Sequence, residues 1–345
     1  MAHDPVRRAL IGTGLGLLVA GSAAAQEYSF TLHHFLGPQS ATHTETIMPW
    51  AERVEAASEG RISIEIYPSM TLGGTPPELI RQVRDGVVDM VWTLNGYTPG
   101  LFPRTEVFEL PSVYRNDPAA ANLAMAELFD TYLAEEHVGV EVLFQHVHAG
   151  QAIVMRDREV RAPADLEGAT LRIPTRTGAW MLEALDANPV SMPVPDLPQA
   201  LSRGVVDGAL IPFEIIPALQ LQDLTEYDIE LADGVRFGTS VFQLSMNLDR
   251  WSALPEDIQQ IFLDQSDDDW LRELGGIWEE TEREGLRVAT EAGSTHVMLG
   301  SDESAAFDAP MQTVVDRWIA EAEADGRAGA ELVEAARRAI ADNAE

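Results

Sequence analysis

Across 345 residues the chain sets 56 acidic against 23 basic side chains, a net charge of −33. A surface of that sign repels nucleic acid and anionic membrane, which makes both poor partners. Cysteine is absent, which excludes disulfides, thiol nucleophiles and thiolate metal sites, and the length accommodates two domains with sizeable cores.

In chain order, Arg7 and Arg8 precede an uncharged, apolar or small stretch from Ala9 to Gly21, and Ala23-Ala24-Ala25 offers a small-residue cleavage site before Gln26. That order reads as a secretory signal peptide over residues 1–25, too short in its apolar part to span a bilayer, which takes about 20 residues. The mature chain is expected to begin near Gln26, in the periplasm. Removing Asp4, Arg7 and Arg8 makes the net charge one unit more negative.

Tyr28–Leu32 alternates as a first strand. Thr42-x-x-Glu45 has the spacing of a capping box, and Ile47, Trp50, Ala51 and Val54 then keep one apolar helix face. Ile62, Ile64 and Ile66 alternate as a second strand. Thr75, Pro76 and Glu78 open another helix that ends at Gly86, and Val87–Leu94 reads as a buried strand. The β-α-β-α-β order predicts a mostly parallel sheet. Residues 83–90 (V-R-D-G-V-V-D-M) are echoed by 201–208 (L-S-R-G-V-V-D-G). Each is a helix running into a left-handed glycine and then a strand, which suggests that two lobes use the same joint. Leu171–Ile173, Pro189–Pro193 and Val205–Ile211 supply strands of a second lobe, with Asp196 capping the short helix between the last two. From Pro255 to Gly293 the apolar spacing predicts one long helix, with a kink near Gly275-Gly276, crossing both lobes. A further helix is expected over Ala305–Ala324.

Catalytic motifs are lacking: there is no G-x-S-x-G, no phosphate-binding loop and no H-E-x-x-H. His33 and His34 point to opposite faces of a strand, whereas His146 and His148 share a face, a two-ligand arrangement that makes a poor metal site. His43 falls in a first helical turn. Three segments suit binding better. Trp92, Asn95 and Tyr97 sit at the C-terminal end of a strand, where ligands of open α/β sheets bind. Arg172 lies inside an apolar strand and needs an anion, either a structural Asp or Glu or a ligand carboxylate; Thr175 follows it, and Arg176, beyond Pro174, is expected to be solvated. Phe213 and Glu214 end the next strand, where the ring could cover a ligand and the acid could accept a hydrogen bond. His34 completes the candidate ligand-binding set of Arg172, Trp92, Asn95, Tyr97, Thr175, Phe213 and His34.

At these residues the chain resembles the DctP-type solute-binding proteins of tripartite ATP-independent periplasmic (TRAP) transporters. The matching pieces, in the family's order, are Trp50-Ala51-Glu52-Arg53-Val54, Leu72-Gly73-Gly74, Gly86-Val87-Val88-Asp89-Met90, Phe108-Glu109-Leu110-Pro111, Asp165 through Arg172, Gly204-Val205-Val206-Asp207-Gly208, and Met246-Asn247 followed by Trp251. The resemblance implies an α/β, two-lobed periplasmic binding fold, type II-like, with a long helix spanning both lobes. It also implies that Arg172 pairs with a ligand carboxylate, and that a small organic acid is handed to ion-gradient-driven TRAP membrane permease subunits. The pattern of the sialic-acid binders is broken near Gly150-Gln151-Ala152, which lacks a second arginine, and at Ile211, which replaces an asparagine.

The expected division is lobe one over 26–149 plus about 238–277, and lobe two over 150–237 plus about 278–335. No catalytic residue and no resident cofactor are expected. Were a cation bound with the ligand, Gln151 and Glu214 are its candidate holders. The chain is expected to act as a monomer. The competing readings are a periplasmic lyase or isomerase acting on an organic acid, and a ligand-sensing module for a receptor.

Overall fold

The computed structural model describes Met1 and residues 26–344; the signal segment lies outside the described residues. No helix among the described residues is long and apolar enough to cross a membrane.

The strands are β1 (Tyr28–His33), β2 (Ile62–Tyr67), β3 (Met90–Leu94), β4 (Val140–Val147), β5 (Ala152–Met155), β6 (Thr170–Ile173), β7 (Asn188–Ser191), β8 (Gly208–Ile211), β9 (Tyr227–Glu230), β10 (Val241–Asn247) and β11 (Thr295–Met298). They form two sheets, ordered β2-β1-β3-β10-β4 and β11-β9-β5-β8-β6-β7. Each contains a parallel triplet, β2-β1-β3 or β7-β6-β8, flanked by an antiparallel strand, β10 or β5. The sheets are therefore mixed rather than purely parallel. The antiparallel strands mark where the chain changes lobes: β4 leads through His148–Gln151 into β5, and the chain returns through Arg236–Ser240 into β10. The two crossing segments pair with each other, Gln151 N–H donating to Gly238 C=O at 2.7 Å and Phe237 N–H to Gln151 C=O at 2.9 Å.

The repeated joint is present twice. Gly86 and Gly204 have φ of 67° and 68°, and the next N–H closes the helix end in both cases, Val87 onto Gln82 C=O and Val205 onto Ala200 C=O, each at 2.9 Å. Val87 and Val205 are exposed while Val88 and Val206 are buried. Asp89 then accepts the Thr31 N–H of β1 at 2.8 Å, and Asp207 the Thr170 N–H of β6 at 2.8 Å. The aspartate thus ties the start of the third strand of each triplet to the first.

Some helix boundaries differ from the sequence reading. Two helices, Glu256–Asp264 and Asp268–Ala292, replace the single long one. The interruption falls at Gln265–Asp267, where the Asp267 carboxylate caps Trp270 N–H at 3.0 Å, and the second helix runs uninterrupted through Gly275-Gly276. At about 1.5 Å per residue its 25 residues reach about 37 Å. It packs on the helix Pro118–Leu128 and β4 at one side and on β11 and the helix Ile215–Leu219 at the other, so it joins both lobes. Thr42 caps nothing; the helical stretch there begins earlier, and the Ser40 hydroxyl accepts the His43 N–H at 3.3 Å. Thr75 and Glu78 do form the expected capping box. Asp196 offers no side-chain cap to the helix Leu197–Ser202.

Candidate functional site

The cleft between the two sheets gathers side chains from both lobes: Phe35, Trp92, Tyr97 and Phe242 from the first, Arg172, Gln151, Val194 and Glu214 from the second, and Trp278 from the spanning helix. Its walls are aromatic. Trp92 stacks on Phe242 at 4.7 Å between centroids and 10° between planes, and Phe35 stands 5.1 Å from Trp92 and 5.3 Å from Tyr97. Trp92 is fixed from behind, its indole N–H donating to His146 Nε2 at 2.9 Å. His146 in turn lies nearly parallel to Phe242 and to Trp278, with centroids 5.2 Å and 5.3 Å away. Burial pulls the His146 pKa down to about 3, so the ring is neutral and can accept that hydrogen bond.

Arg172 stands on β6 and is 2 % exposed. Its Nε donates to Met192 C=O at 3.0 Å, one terminal nitrogen to Leu210 C=O at 3.3 Å, and the other to the Tyr97 hydroxyl at 3.3 Å. Among the described residues no carboxylate lies within ion-pair distance of it, so the structural Asp or Glu that the sequence left open is not there. Burial pushes its pKa below the ordinary arginine value, Tyr97 and the more distant Asp196 opposing. The contrast is Arg236, also buried, which is held between Glu230 and Glu282 at 2.9 Å each. Tyr97 oxygen also accepts the Val194 N–H at 2.8 Å. With two N–H groups already donating to it, its own O–H remains to donate to an acceptor in the cleft.

Not every residue singled out from sequence lines the cleft. Phe213 is fully buried beneath the Arg236 guanidinium, 4.5 Å from its ring centroid, and meets His296 edge-on, so the ring belongs to the packing under the cleft rather than to its wall. Thr175 caps the helix Arg176–Ala184 through Gly178 N–H. His34 lies 3.0 Å from His43 between their ring nitrogens, behind Trp92. Asn95 is buried with neither amide atom paired, and does not line the cleft. Arg176 is not solvated: it is half-buried, forks onto Glu106, reaches Glu321 at 2.8 Å and lies over Trp180. The first-lobe turn that carries Glu106 is thereby tied to the second lobe.

Of the cation candidates, both Gln151 and Glu214 line the cleft, but neither is disposed as a cation ligand. His148 Nδ1 accepts the Gly150 N–H at 2.9 Å, and burial keeps the ring neutral with a pKa of about 3, so its proton sits on Nε2. That N–H, 3.1 Å from the Gln151 amide, demands the amide oxygen as partner, which turns the Gln151 N–H₂ outward. Burial, then Glu282, hold the Glu214 carboxyl well above the usual carboxylate range. No group of three or more His, Asp or Glu at metal-binding spacing occurs among the described residues.

Phe35, Phe242 and Trp278 escaped the sequence reading. A partial signal exists for Phe242, which alternates with Leu244 and Met246 along β10; nothing local distinguishes Trp278 from the core residues of its helix.

Comparison with known proteins bears on this geometry. The family described as DctP, bacterial extracellular solute-binding protein family 7, matches residues 32–322. A TRAP solute-binding protein from an unidentified marine microbe, specific for aromatic acid ligands and solved with 3-hydroxybenzoate, is 36% identical with a TM-score of 0.90, over 93% of this chain and 100% of that one. A TRAP solute-binding protein from Rhodoferax ferrireducens, solved with copurified benzoate, is 35% identical with a TM-score of 0.88, over 91% of this chain and 98% of that one. The C4-dicarboxylate-binding periplasmic protein DctP of Rhodobacter capsulatus is 25% identical over 97% of this chain and 98% of its own length. The chain therefore belongs to the DctP family of bacterial extracellular solute-binding proteins, and is the periplasmic binding component of a TRAP transport system.

Proposed function

We propose that the organic acid captured between the lobes is an aromatic monocarboxylate, and that the liganded protein delivers it, as a monomer, to TRAP membrane permease subunits. The observation that carries this reading is Arg172, a buried guanidinium with no carboxylate partner among the described residues, facing a cleft walled by Trp92, Phe242, Tyr97 and Phe35. A ligand carboxylate supplies the missing charge, with the Tyr97 O–H as a second donor, and a flat ring fits between aromatic walls. The solved relatives at 35% and 36% identity, with benzoate and hydroxylated aromatic acids bound, favour the same class. The lobe boundaries that accompany the proposal are 26–149 with about 238–277, and 150–237 with about 278–335; β10 in the first sheet and β11 in the second support them.

The test is calorimetric titration with benzoate. Truncating one partner of a buried charge pair costs about 2–5 kcal/mol. Arg172→Ala should therefore lose roughly thirtyfold to several thousandfold in affinity. Arg172→Lys should recover only part, since an ammonium lacks the planar fork, and benzamide should bind wild type poorly. A folded Arg172→Ala protein that binds benzoate within twofold of wild type would overturn the assignment.

A further inference from the structure

Besides the Gln151, His148 and Ser240 group, the cleft is polar at two further places. Arg172 and Tyr97 make one. The other lies where the helical turn Thr42–Ile47, the start of the helix Ile215–Leu219 and the spanning helix converge. There Thr42, Glu214 and Trp278 are 0 %, 8 % and 1 % exposed, all three line the cleft, and the Thr42 Oγ1, one Glu214 carboxyl oxygen and the Trp278 indole N–H have no hydrogen-bond partner. Glu214 also borders a neighbouring surface hollow with Ala41, Thr44 and Ile277, which puts it beside both the Thr42 turn and the Trp278 turn of the helix. Arg172 instead donates to Met192 C=O, next in sequence to Pro193, which borders another hollow with Phe35 and Leu36.

We infer that Thr42, Glu214 and Trp278 form a hydrogen-bonding recognition point for a ring hydroxyl remote from the carboxylate, so that the protein selects hydroxylated aromatic monocarboxylates over unsubstituted ones. This deepens the proposed function and rests on it. The complement is chemical. The indole N–H can only donate, and a hydroxyl oxygen accepts from it; the hydroxyl proton is then free for the threonine or carboxyl oxygen. A second carboxylate at this end would instead meet Glu214 with Glu282 behind it, in a chain of net charge −33. Burial, with Glu282 adding repulsion, raises the Glu214 carboxyl well above the usual carboxylate range, which disfavours a charge at this end. A ligand without the hydroxyl leaves buried polar atoms unpaired, and a site built to bond a hydroxyl discriminates strongly against the analogue that lacks it.

The experiment is calorimetric titration of the mature protein with benzoate, its 2-, 3- and 4-hydroxy derivatives and isophthalate, repeated on Thr42→Val, Glu214→Leu and Glu214→Gln. In wild type the 3- or 4-hydroxy acid should bind at least tenfold more tightly than benzoate. The 2-hydroxy acid should gain less than threefold, and isophthalate should bind more weakly than benzoate. Thr42→Val and Glu214→Leu should cut the preference, read as the ratio of hydroxybenzoate to benzoate affinity within each variant, to within threefold, and Glu214→Gln should retain most of it. Equal affinities of wild type for benzoate and both remote hydroxy acids would overturn the inference, whether or not the variants fold. So would a preference unchanged in both Thr42→Val and Glu214→Leu, or one abolished by a metal chelator. If none of these acids binds wild type, it is the proposed function that fails.

Discussion

Trp92 lies within β3 and Phe213 just beyond β8; both are bulky aromatics and both are fully buried, yet they are set in different surroundings. Trp92 presents a stacked face to the cleft while His146 holds its N–H. Phe213 carries Arg236 on its face and packs its own backbone against the spanning helix. Their alanine variants should separate accordingly. Trp92→Ala should weaken benzoate binding by about 1–3 kcal/mol, the loss of a ring buried on the ligand. Phe213→Ala should leave binding by the folded fraction nearly unchanged and cost about 3–5 kcal/mol of stability, since it opens a cavity under a buried ion network. Paired titration calorimetry and urea unfolding check both, and the converse result would return Phe213 to the cleft wall.

The spanning helix is the element on which the cleft depends, because it brings Trp278 to the cleft and holds Glu282 against the Glu214 N–H at 2.9 Å. Two of its glycines test how tightly it is seated. Alanine is ordinarily favoured over glycine inside a helix by about 1 kcal/mol. At Gly276 an added Cβ meets nothing within 4 Å, so Gly276→Ala should stabilise by up to about that amount. At Gly285 the same Cβ would lie 2.1 Å from the Phe213 carbonyl oxygen and 2.8 Å from the Glu214 nitrogen. Gly285→Ala should therefore destabilise despite its better propensity, and should also disturb binding by displacing Glu214. Thermal unfolding of the two variants should show shifts of opposite sign. At this scale the sequence was legible wherever the controlling contacts are local. The G-V-V-D joint, the Thr75 capping box and the strands of both triplets are encoded within a few residues of where they form. The break at Gln265–Asp267 was hidden because the helices on either side both bury apolar residues at helical spacing, so the pattern continues across the gap. Thr42 misled because its spacing to Glu45 matches a cap, whereas Ser40 takes that role and frees the threonine for the cleft. Phe242 and Trp278 reach the cleft through partners far away in sequence, β3 and β4 for one and the opposite lobe for the other, and no local spacing records that.

For the whole molecule, composition narrows what can titrate near neutrality. The chain has no cysteine and no lysine; every basic side chain other than histidine is arginine. Between pH 7 and 9 the ordinary candidates therefore reduce to the terminal amine and whatever burial has displaced into that range. Burial pulls His34, His137, His146 and His148 down to about 3. In the unfolded chain these rings bind protons below about pH 6.5. The native state does not, so stability falls as the pH drops from 6.5 towards 3. Glu109 is displaced the other way. Burial, with Glu106 adding repulsion against the Val241 N–H, Thr177 and Arg176, raises it to about 8. Its proton is held in the native state and lost in the unfolded chain above about pH 4.5, so its stabilisation declines as the pH rises and is gone above about pH 8. The two trends oppose each other between 4.5 and 6.5, and above 6.5 Glu109 continues the decline after the histidines have ceased to act. The melting temperature should accordingly peak near pH 6–7 and fall towards pH 9, whereas a chain without such carboxyls would hold a plateau. Glu109→Gln keeps an acceptor for the Val241 N–H and removes the titration. Its melting temperature should change less between pH 6.5 and 9 than that of wild type, while the acid limb below pH 6.5, set by the histidines, should persist. Differential scanning calorimetry of both proteins across this range checks the assignment, and a wild-type melting temperature that is flat from pH 6.5 to 9 would place the Glu109 titration elsewhere.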